Sequence, residues 1–548
     1  MLLKTASNLM TGFALLFTTL FYGQELIIEE GYTVEYSNAA LELHFDVPVV
    51  VKATVVSDAS ELQLVSGTKP NSFVLTHLKP AEIIRLDFHY LNGITNEVHS
   101  SFLATPSLSS GTIDVYFNHP VDVTFAQTQN AVNLGNTLDT KLISYINTCQ
   151  STLDIAIYNS YSSSASSGIA GAINAAFLRG VQVRVIYDGS TSSLMIPLLN
   201  AGIQRLASPV GDPYGIMHNK FVVFDAANVD ANKPIVWTGS TNWTTSQIDG
   251  PDRNSAIVIQ DQALALGYTL EFEEMWGSNT ATPNTVVSKF GPYKTNNTPH
   301  SYLIGGKTVN SYFSPSDGAN AKIINAINSA NSDIDIATML ITRSDISSAL
   351  INKYSSGLSN LNIVLDVQNP SSNQLGVLQS GINASHVHTY NSSGIMHHKF
   401  MVVDNFNSAS DPQVLVGSHN WSSSAEYKND ENTLIVHDAN ITNQYYQAFA
   451  YLYGQAGGLL SASSEHMNGD LVIFPNPTNG LITISSGSNI DVKAVDIRVS
   501  NVFGAIVFEQ HLDSFRSEPL DLSGVSSGLY FVEIESSGIR KLFKVVKE

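Results

Sequence analysis

The chain carries a single cysteine, Cys149, so no disulfide can form within it, and its stability must come from packed cores and hydrogen-bonded ladders. Cys149 reads simply as a small buried residue. Charge is also scarce: 14% of residues are Asp, Glu, Lys or Arg, and no run of Lys or Arg occurs. With 27 basic residues against 47 acidic ones, the net charge of −20 argues against broad nucleic-acid binding, which depends on clustered cations displacing counterions from phosphates. A local groove could still be basic. Beyond the N-terminal segment no apolar run is long enough to cross a bilayer.

What is present suits a secreted, multidomain protein. An apolar fraction of 43% supports ordinary globular folding, and 548 residues imply three to five domains of roughly 100–200 residues each. Ser, Thr, Asn and Gly are abundant. The opening "MLLKTASNLMTGFALLFTTLFYGQE" sets one Lys before an apolar stretch of about a dozen residues ending at Gly23, the pattern of a cleaved secretory signal at residues 1–24 rather than a membrane anchor. Residues 25–112 contain short alternating runs such as "VVVKATVVS" and "SFVLTHL", parted by Gly, Pro and Asn, which predict antiparallel strands of a β-sandwich. The segment "HLKPAEIIRLDFHYL" resembles a strand of fibronectin type III modules.

From Thr112 the pattern turns to α/β, and it is written twice. "TIDVYFNHP", "LDIAIYN" and "VQVRVIYD" predict strands, separated by the helical stretches "TKLISYINTCQS" and "SGIAGAINAAFLRG". The same order returns as "VNSYFSP", "GANAKIINAINSAN", "SDIDIATML", "SDISSALINKYSSG" and "LNIVLDVQN". Such alternation predicts a sheet with parallel strands covered by helices, and its recurrence makes residues 113–285 and 286–457 two repeats of one domain.

Each repeat also carries the same chemistry-bearing pair of segments. "GIMHNKFVVFD" (215–225) is matched by "GIMHHKFMVVD" (394–404), and "VWTGSTNWTTS" (236–246) by "VLVGSHNWSSS" (414–424). In the first, a short apolar run fits a buried strand whose alternation puts His218 and Lys220 on one face, with His397 and Lys399 their counterparts. His398 then points to the opposite face. The second ends a strand in Gly-Ser-x-Asn, presenting Ser240 and Asn242, or Ser418 and Asn420. Imidazole can attack or donate a proton near neutral pH, ammonium supplies fixed charge for phosphate, and Ser and Asn donors can stabilise equatorial oxygens. Hydrolysis of a phosphodiester through a covalent intermediate needs a nucleophile on one side of phosphorus and an acid on the other. Two copies facing across a pseudo-two-fold axis supply both.

His-x-Lys-x4-Asp followed by Gly-Ser-x-Asn, present twice, resembles the phospholipase D superfamily. The resemblance implies a fold of two α/β/α sandwich repeats forming one catalytic unit, an intramolecular pseudo-dimer within a monomer. It implies that one motif histidine attacks phosphorus to form a phosphohistidine while the other protonates the leaving alcohol and then activates water. Tandem members commonly use the N-terminal histidine for attack, which assigns attack to His218 and acid/base work to His397. Lys220, Lys399, Asn242 and Asn420 would cradle the phosphate beside Ser240 and Ser418. Asp225 and Asp404 complete the catalytic motif and are expected to brace the site rather than touch substrate. No cofactor or metal is required. "HVHTY" at 386–390 has a His-x-His spacing but no accompanying Cys or carboxylate ligands, and Trp243 and Trp421 read as packing residues.

The repeats differ at one position of this pattern. "KNDENTLIV" carries Glu431 before Asn432, where the family has an acidic residue that orients a catalytic imidazole, whereas "GPDRNSAIV" carries Arg253 before Asn254. Asp252 is a possible substitute. If orienting contacts cross between repeats, Glu431 serves His218.

After a Gly/Ser-rich linker (458–471), "LVIFPNPTNGLITIS" through "GLYFVEI" to a basic finish predicts a compact β-domain at 472–548. It resembles the type A sorting domain of the type IX secretion system of Bacteroidetes, which implies export by that machinery and a secreted or cell-surface location. The expected function is therefore a secreted phosphodiesterase with phospholipid as substrate and nucleic acid as the alternative. A non-catalytic adhesion protein is the remaining reading, and retention of both histidines, lysines and asparagines speaks against it.

Overall fold

Alternating burial sets the architecture. The computed structural model describes residues 25–548 apart from 29–30, 38–39, 68, 92–96, 162–165, 367–372, 461–470, 487–491, 503, 516 and 537–538. The expected signal at 1–24, and most of the expected linker, lie outside the described residues. The chain divides into two compact units, Met1–Thr105 and Pro106–Glu548.

The first unit is a sandwich of two antiparallel sheets. One orders Glu25–Ile28, Tyr32–Ser37, Ala40–Phe45, Ser72–Thr76 and Leu64–Ser66, and the other Glu61–Leu62, Val49–Val55, Ile83–Tyr90 and His99–Ala104. Ala40–Phe45 alternates half-buried with buried side chains, so every second residue enters the core. There Tyr32, Phe45 and Phe88 pack as tilted and edge-on rings, with centroids 4.9 to 5.8 Å apart.

In the second unit, two eight-stranded sheets repeat one topology. From edge to edge the first orders Val132–Asn133, Ile113–Phe117, Ser255–Ile259, Ile235–Gly239, Lys220–Phe224, Thr152–Ile157, Gln182–Tyr187 and Gln204–Ala207. The second orders Ser301–Ile304, Lys307–Ser314, Glu431–His437, Gln413–Gly417, Lys399–Val403, Ile334–Thr338, Leu361–Asp366 and Val387–Tyr390. Thr152–Ile157 and Gln182–Tyr187, joined through the helix Gly168–Leu178, run parallel. The motif strands run antiparallel instead, Lys220–Phe224 beside Ile235–Gly239, because a short loop joins them and leaves no room for a crossover helix. The sheets are thus mixed: the parallel strands that the sequence predicts are present, and the motif strands add antiparallel pairs beside them. Each repeat keeps its own apolar core on the outer helical side, built in the first from residues such as Ile155, Val185, Ile173 and Trp243, and in the second from Ile336, Ile363, Ile346 and Trp421.

The final helix of each repeat, Gln262–Trp276 or Ala439–Gln455, is buried along most of its length, and together they join the repeats. Tyr268 packs edge-on against Phe221 of its own repeat and Phe313 of the other. From Ala439–Gln455, Gln447 accepts the Ala131 N–H and Asn443 accepts the Gln127 N–H. A buried lysine, Lys294, ties Glu271 of the first repeat to Asp430 of the second. The C-terminal part of the chain is β: the described residues of 471–547 form a three-stranded and a four-stranded antiparallel sheet around Ile482, Ile484, Ile497, Val532 and Val545.

His119 and His398 form a further tie between repeats. Their Nε2 atoms lie 2.7 Å apart, so one ring donates and the other accepts, and both residues are buried. His398 indeed turns away from the face of His397 and Lys399. Burial pushes the His119 pKa down to about 3, while an unfolded histidine titrates near 6.5. Between those values the unfolded chain binds more protons, so stability is retained above the unfolded pKa and falls as pH is lowered through that window. Urea unfolding from pH 7 to pH 4 should therefore show a steady loss, and His119→Gln should reduce its slope by about one proton, or about 1.4 kcal/mol per pH unit. An unchanged slope would contradict a neutral buried pair.

Candidate active site

Local pairing between repeats builds the site. The segment before each motif histidine forms a bridge with the acidic-position segment of the other repeat: Met217 pairs with Asp430, and Arg253 with Met396. The His218 N–H donates to the Asp430 carbonyl and the His397 N–H to that of Arg253, both at 2.9 Å. This near-symmetric exchange fixes the backbone on either side of both histidines. His218 and His397 keep 5% and 6% of their surface exposed, and Lys220 and Lys399 keep 3% and 2%.

The two imidazoles are held differently. His218 Nδ1 lies 2.6 Å from Glu431 Oε2, a contact made across the repeats. His397 Nδ1 faces two neutral acceptors, the Ser240 carbonyl at 3.0 Å and Asn254 Oδ1 at 3.1 Å. Arg253 points elsewhere, donating from Nε to the Tyr390 hydroxyl at 2.9 Å. Asp252 does not replace the missing carboxylate, because it accepts the Ile395 N–H at 2.8 Å. Each ring thus presents Nδ1 to a fixed acceptor and leaves Nε2 for chemistry.

Electrostatics follow from the crowding of cations in a buried space. Burial first, and then Lys220 and Lys399, depress the pKa of His218; the same burial and lysines, with His218 added, depress that of His397. Both histidines therefore lie within the field of both lysines. A neutral His218 donates its Nδ1–H to Glu431, whose own pKa is raised by burial against the pull of Lys220. Burial lowers Lys220 well below its usual range, and lowers Lys399 to about 7, although Glu431 opposes both shifts. Each lysine donates back to its own motif, Lys220 to the His218 carbonyl at 2.6 Å and Lys399 to that of His397 at 2.7 Å. An anion entering here would restore their charge.

The polar motif residues divide into supporting and open groups. Ser240 donates to Asn254 Oδ1 at 3.0 Å, and Ser418 accepts the Asn432 N–H at 3.0 Å. Asn432 reaches across the repeats to Asn219 Oδ1 at 3.1 Å and accepts from Thr238 at 2.9 Å. Asn242 and Asn420 keep buried Oδ1 atoms without a hydrogen-bond partner, so both amides retain unused bonding capacity at the site. Tyr158, to which the sequence drew no attention, sets its ring edge-on to His218 at 4.9 Å and under Lys220 Nζ at 5.1 Å. Trp243 and Trp421 belong to the two cores. His386 and His388 bond to Asn362 Oδ1 and the Ser385 carbonyl, each at 2.9 Å.

Asp225 and Asp404 are not at the histidines. Each follows the far end of its motif strand, about 16 Å along from the lysine at extended-chain spacing. Asp225 adopts φ 52° and accepts the backbone N–H groups of Gln150, Ser151 and Thr152 together with the Ser151 hydroxyl. Asp404, at φ 56°, does the same for Asn331 and Ser332 and for the Ser410 hydroxyl. Each carboxylate thereby ties the turn between a helix and the next strand. Replacing Asp225 with Ala leaves those donors unpaired and should cost about 3 kcal/mol in urea unfolding. A loss below about 0.5 kcal/mol would show that the turn does not need its carboxylate.

Residues 142–276 and 323–453 match the family described as cardiolipin synthase, PLD-like domain, and residues 472–548 match the secretion system C-terminal sorting domain. A mitochondrial cardiolipin hydrolase of Xenopus tropicalis is 35% identical over 102 residues, covering 18% of this chain and 43% of that protein. The human mitochondrial cardiolipin hydrolase is 36% identical over 111 residues, covering 20% and 40% respectively. The chain thus spans less than half the length of these curated relatives. Among solved structures, phosphatidylserine synthase of Haemophilus influenzae aligns at 14% identity over 58% of this chain and 84% of that one, with a TM-score of 0.41. Matched twice along its length and built with the same crossed motifs in each half, the chain is a tandem protein of the phospholipase D superfamily that carries a type IX secretion sorting domain.

Proposed function

We propose that the protein is a secreted phosphodiesterase that hydrolyses the head-group diester of phospholipids through a phosphohistidine. The observation that carries this reading is the pair of imidazoles, one from each repeat, sharing the field of two lysines in one buried site. The sorting domain supports delivery outside the cell. The scarcity of clustered cations, and the lipid-directed names of the curated relatives, favour phospholipid over nucleic acid.

The asymmetry of the two rings supports a division of labour. Neutral His218, its Nδ1–H given to the Glu431 carboxylate, keeps a basic Nε2 lone pair and attacks phosphorus. The P–O bond to the leaving alcohol breaks as His397 gives that oxygen a proton from Nε2. His397 is suited to release one, because its Nδ1 faces only neutral acceptors. Charge on the bound phosphate offsets the lysines, letting His397 carry the proton in the complex. Water then attacks the phosphohistidine and returns its proton to His397, and the N–P bond breaks to free His218. Lys220 and Lys399 through Nζ, and Asn242 and Asn420 through Nδ2, donate to the phosphoryl oxygens through both steps.

Release of choline or ethanolamine from phospholipid vesicles, run beside degradation of single- and double-stranded DNA and RNA, tests the substrate. Nucleic-acid cleavage without head-group release would transfer the reading to a nuclease. A labelled phosphohistidine should be trapped from a diester and lost in His218→Ala; failure to trap it in the wild type would argue for a binding protein instead. Glu431→Gln should slow phosphoenzyme formation by about 10–100-fold, and an unchanged rate would remove the orienting role. Because Lys399 loses its proton near pH 7 in the free protein, kcat/KM should decline above that pH, while a rise would show that its charge is not used.

A further inference from the structure

One histidine beside the site is unused by this mechanism. His419 stands between Ser418 and Asn420 in the Gly-Ser-x-Asn segment of the second repeat, and the Ser418 backbone lies near enough to the His218 ring to raise its pKa against the effect of burial. His419 is 3% exposed, yet neither of its ring nitrogens has a hydrogen-bond partner. Its nearest acid is Glu426, with 3.8 Å between Nε2 and Oε2. Glu426 accepts the Asn320 N–H at 2.8 Å, and Asn320 Oδ1 is likewise buried and unpartnered.

The first repeat is closed at the same register. Thr241 stands where His419 does and donates to the Ser255 carbonyl at 3.2 Å. Ile248 stands where Glu426 does and packs into the core. The second repeat therefore replaces a satisfied hydroxyl and an apolar side chain with an imidazole and a carboxylate that leave bonding capacity open beside the phosphate site.

The unused groups have a chemical signature. Burial pushes the His419 pKa down to about 4, so the ring offers one N–H donor and one lone pair, and Glu426 and Asn320 add acceptors. A second phosphate presents acceptors only and an ammonium presents donors only. A hydroxyl both gives and takes, and so can pair with the imidazole and with the acceptors beside it. We propose that His419 and Glu426 form a subsite for a hydroxyl-bearing alcohol half of the diester, such as a glycerol or ribose unit. The subsite rests on the phosphodiesterase reading for its purpose but can be tested without turnover.

Calorimetric titration of the full chain with sn-glycerol 3-phosphate and with propyl phosphate compares two ligands that differ only in their hydroxyls. Glycerol phosphate should bind about tenfold more tightly. His419→Thr, which copies the first repeat, should bring that ratio close to one, while His419→Gln, which keeps a donor and an acceptor, should preserve much of it. Equal affinities in the wild type, no binding of either ligand, or an undiminished ratio in His419→Thr would each overturn the proposal. Turnover of phosphatidylglycerol against phosphatidylpropanol vesicles, and of RNA against DNA oligonucleotides, then separates a lipid head group from a ribose as the source of the hydroxyl. A protein that keeps the binding ratio but hydrolyses none of these would retain the subsite and lose the enzymatic reading, and the reverse result would do the opposite.

Discussion

The 2.6 Å contact between His218 and Glu431 is the constraint on which the rest of the catalytic unit depends. A carboxylate buried in this way is costly unless it is paired, and its partner lies on the other repeat. Everything around it serves that meeting: the crossed bridges at Met217 and Arg253, the two buried terminal helices, and Lys294 anchoring Asp430 one residue away. Local strand pairing, interface packing and site geometry therefore answer to one requirement, that residues far apart in sequence arrive together.

Duplication gives the site its shape and divergence gives it direction. Had both repeats kept a carboxylate, the two imidazoles would be held alike. Arg253 in place of the first acid, turned toward Tyr390, leaves His397 on neutral acceptors. The second repeat departs from symmetry again at His419 and Glu426. Both departures lie in the segment that leads from the Gly-Ser-x-Asn strand of a repeat to its next strand.

Much of this was legible in the chain itself. His218, Lys220, His397 and Lys399 could be read because strand alternation has a period of two, and a buried strand with a polar start is an unusual pattern. The crossing of Glu431 could be stated as a condition, since two facing copies either exchange contacts or do not. The antiparallel pairing of the motif strands was implicit in the short loop at 225–234. What no pattern announced were contacts between single residues from distant segments: His119 with His398, Tyr158 against His218, and Lys294 between Glu271 and Asp430. His419 was written plainly in "GSHN", yet only its burial without partners distinguishes it from the threonine of the first copy.

The crossing of Glu431 to His218 also fixes when the site can exist. During synthesis His218 emerges long before the carboxylate that orients it, and the strand bearing Lys399 lies between them. A nascent or truncated chain ending anywhere before Glu431 holds an imidazole with no assembled centre around it. The centre is thereby assembled only once nearly the entire double domain has been translated and folded.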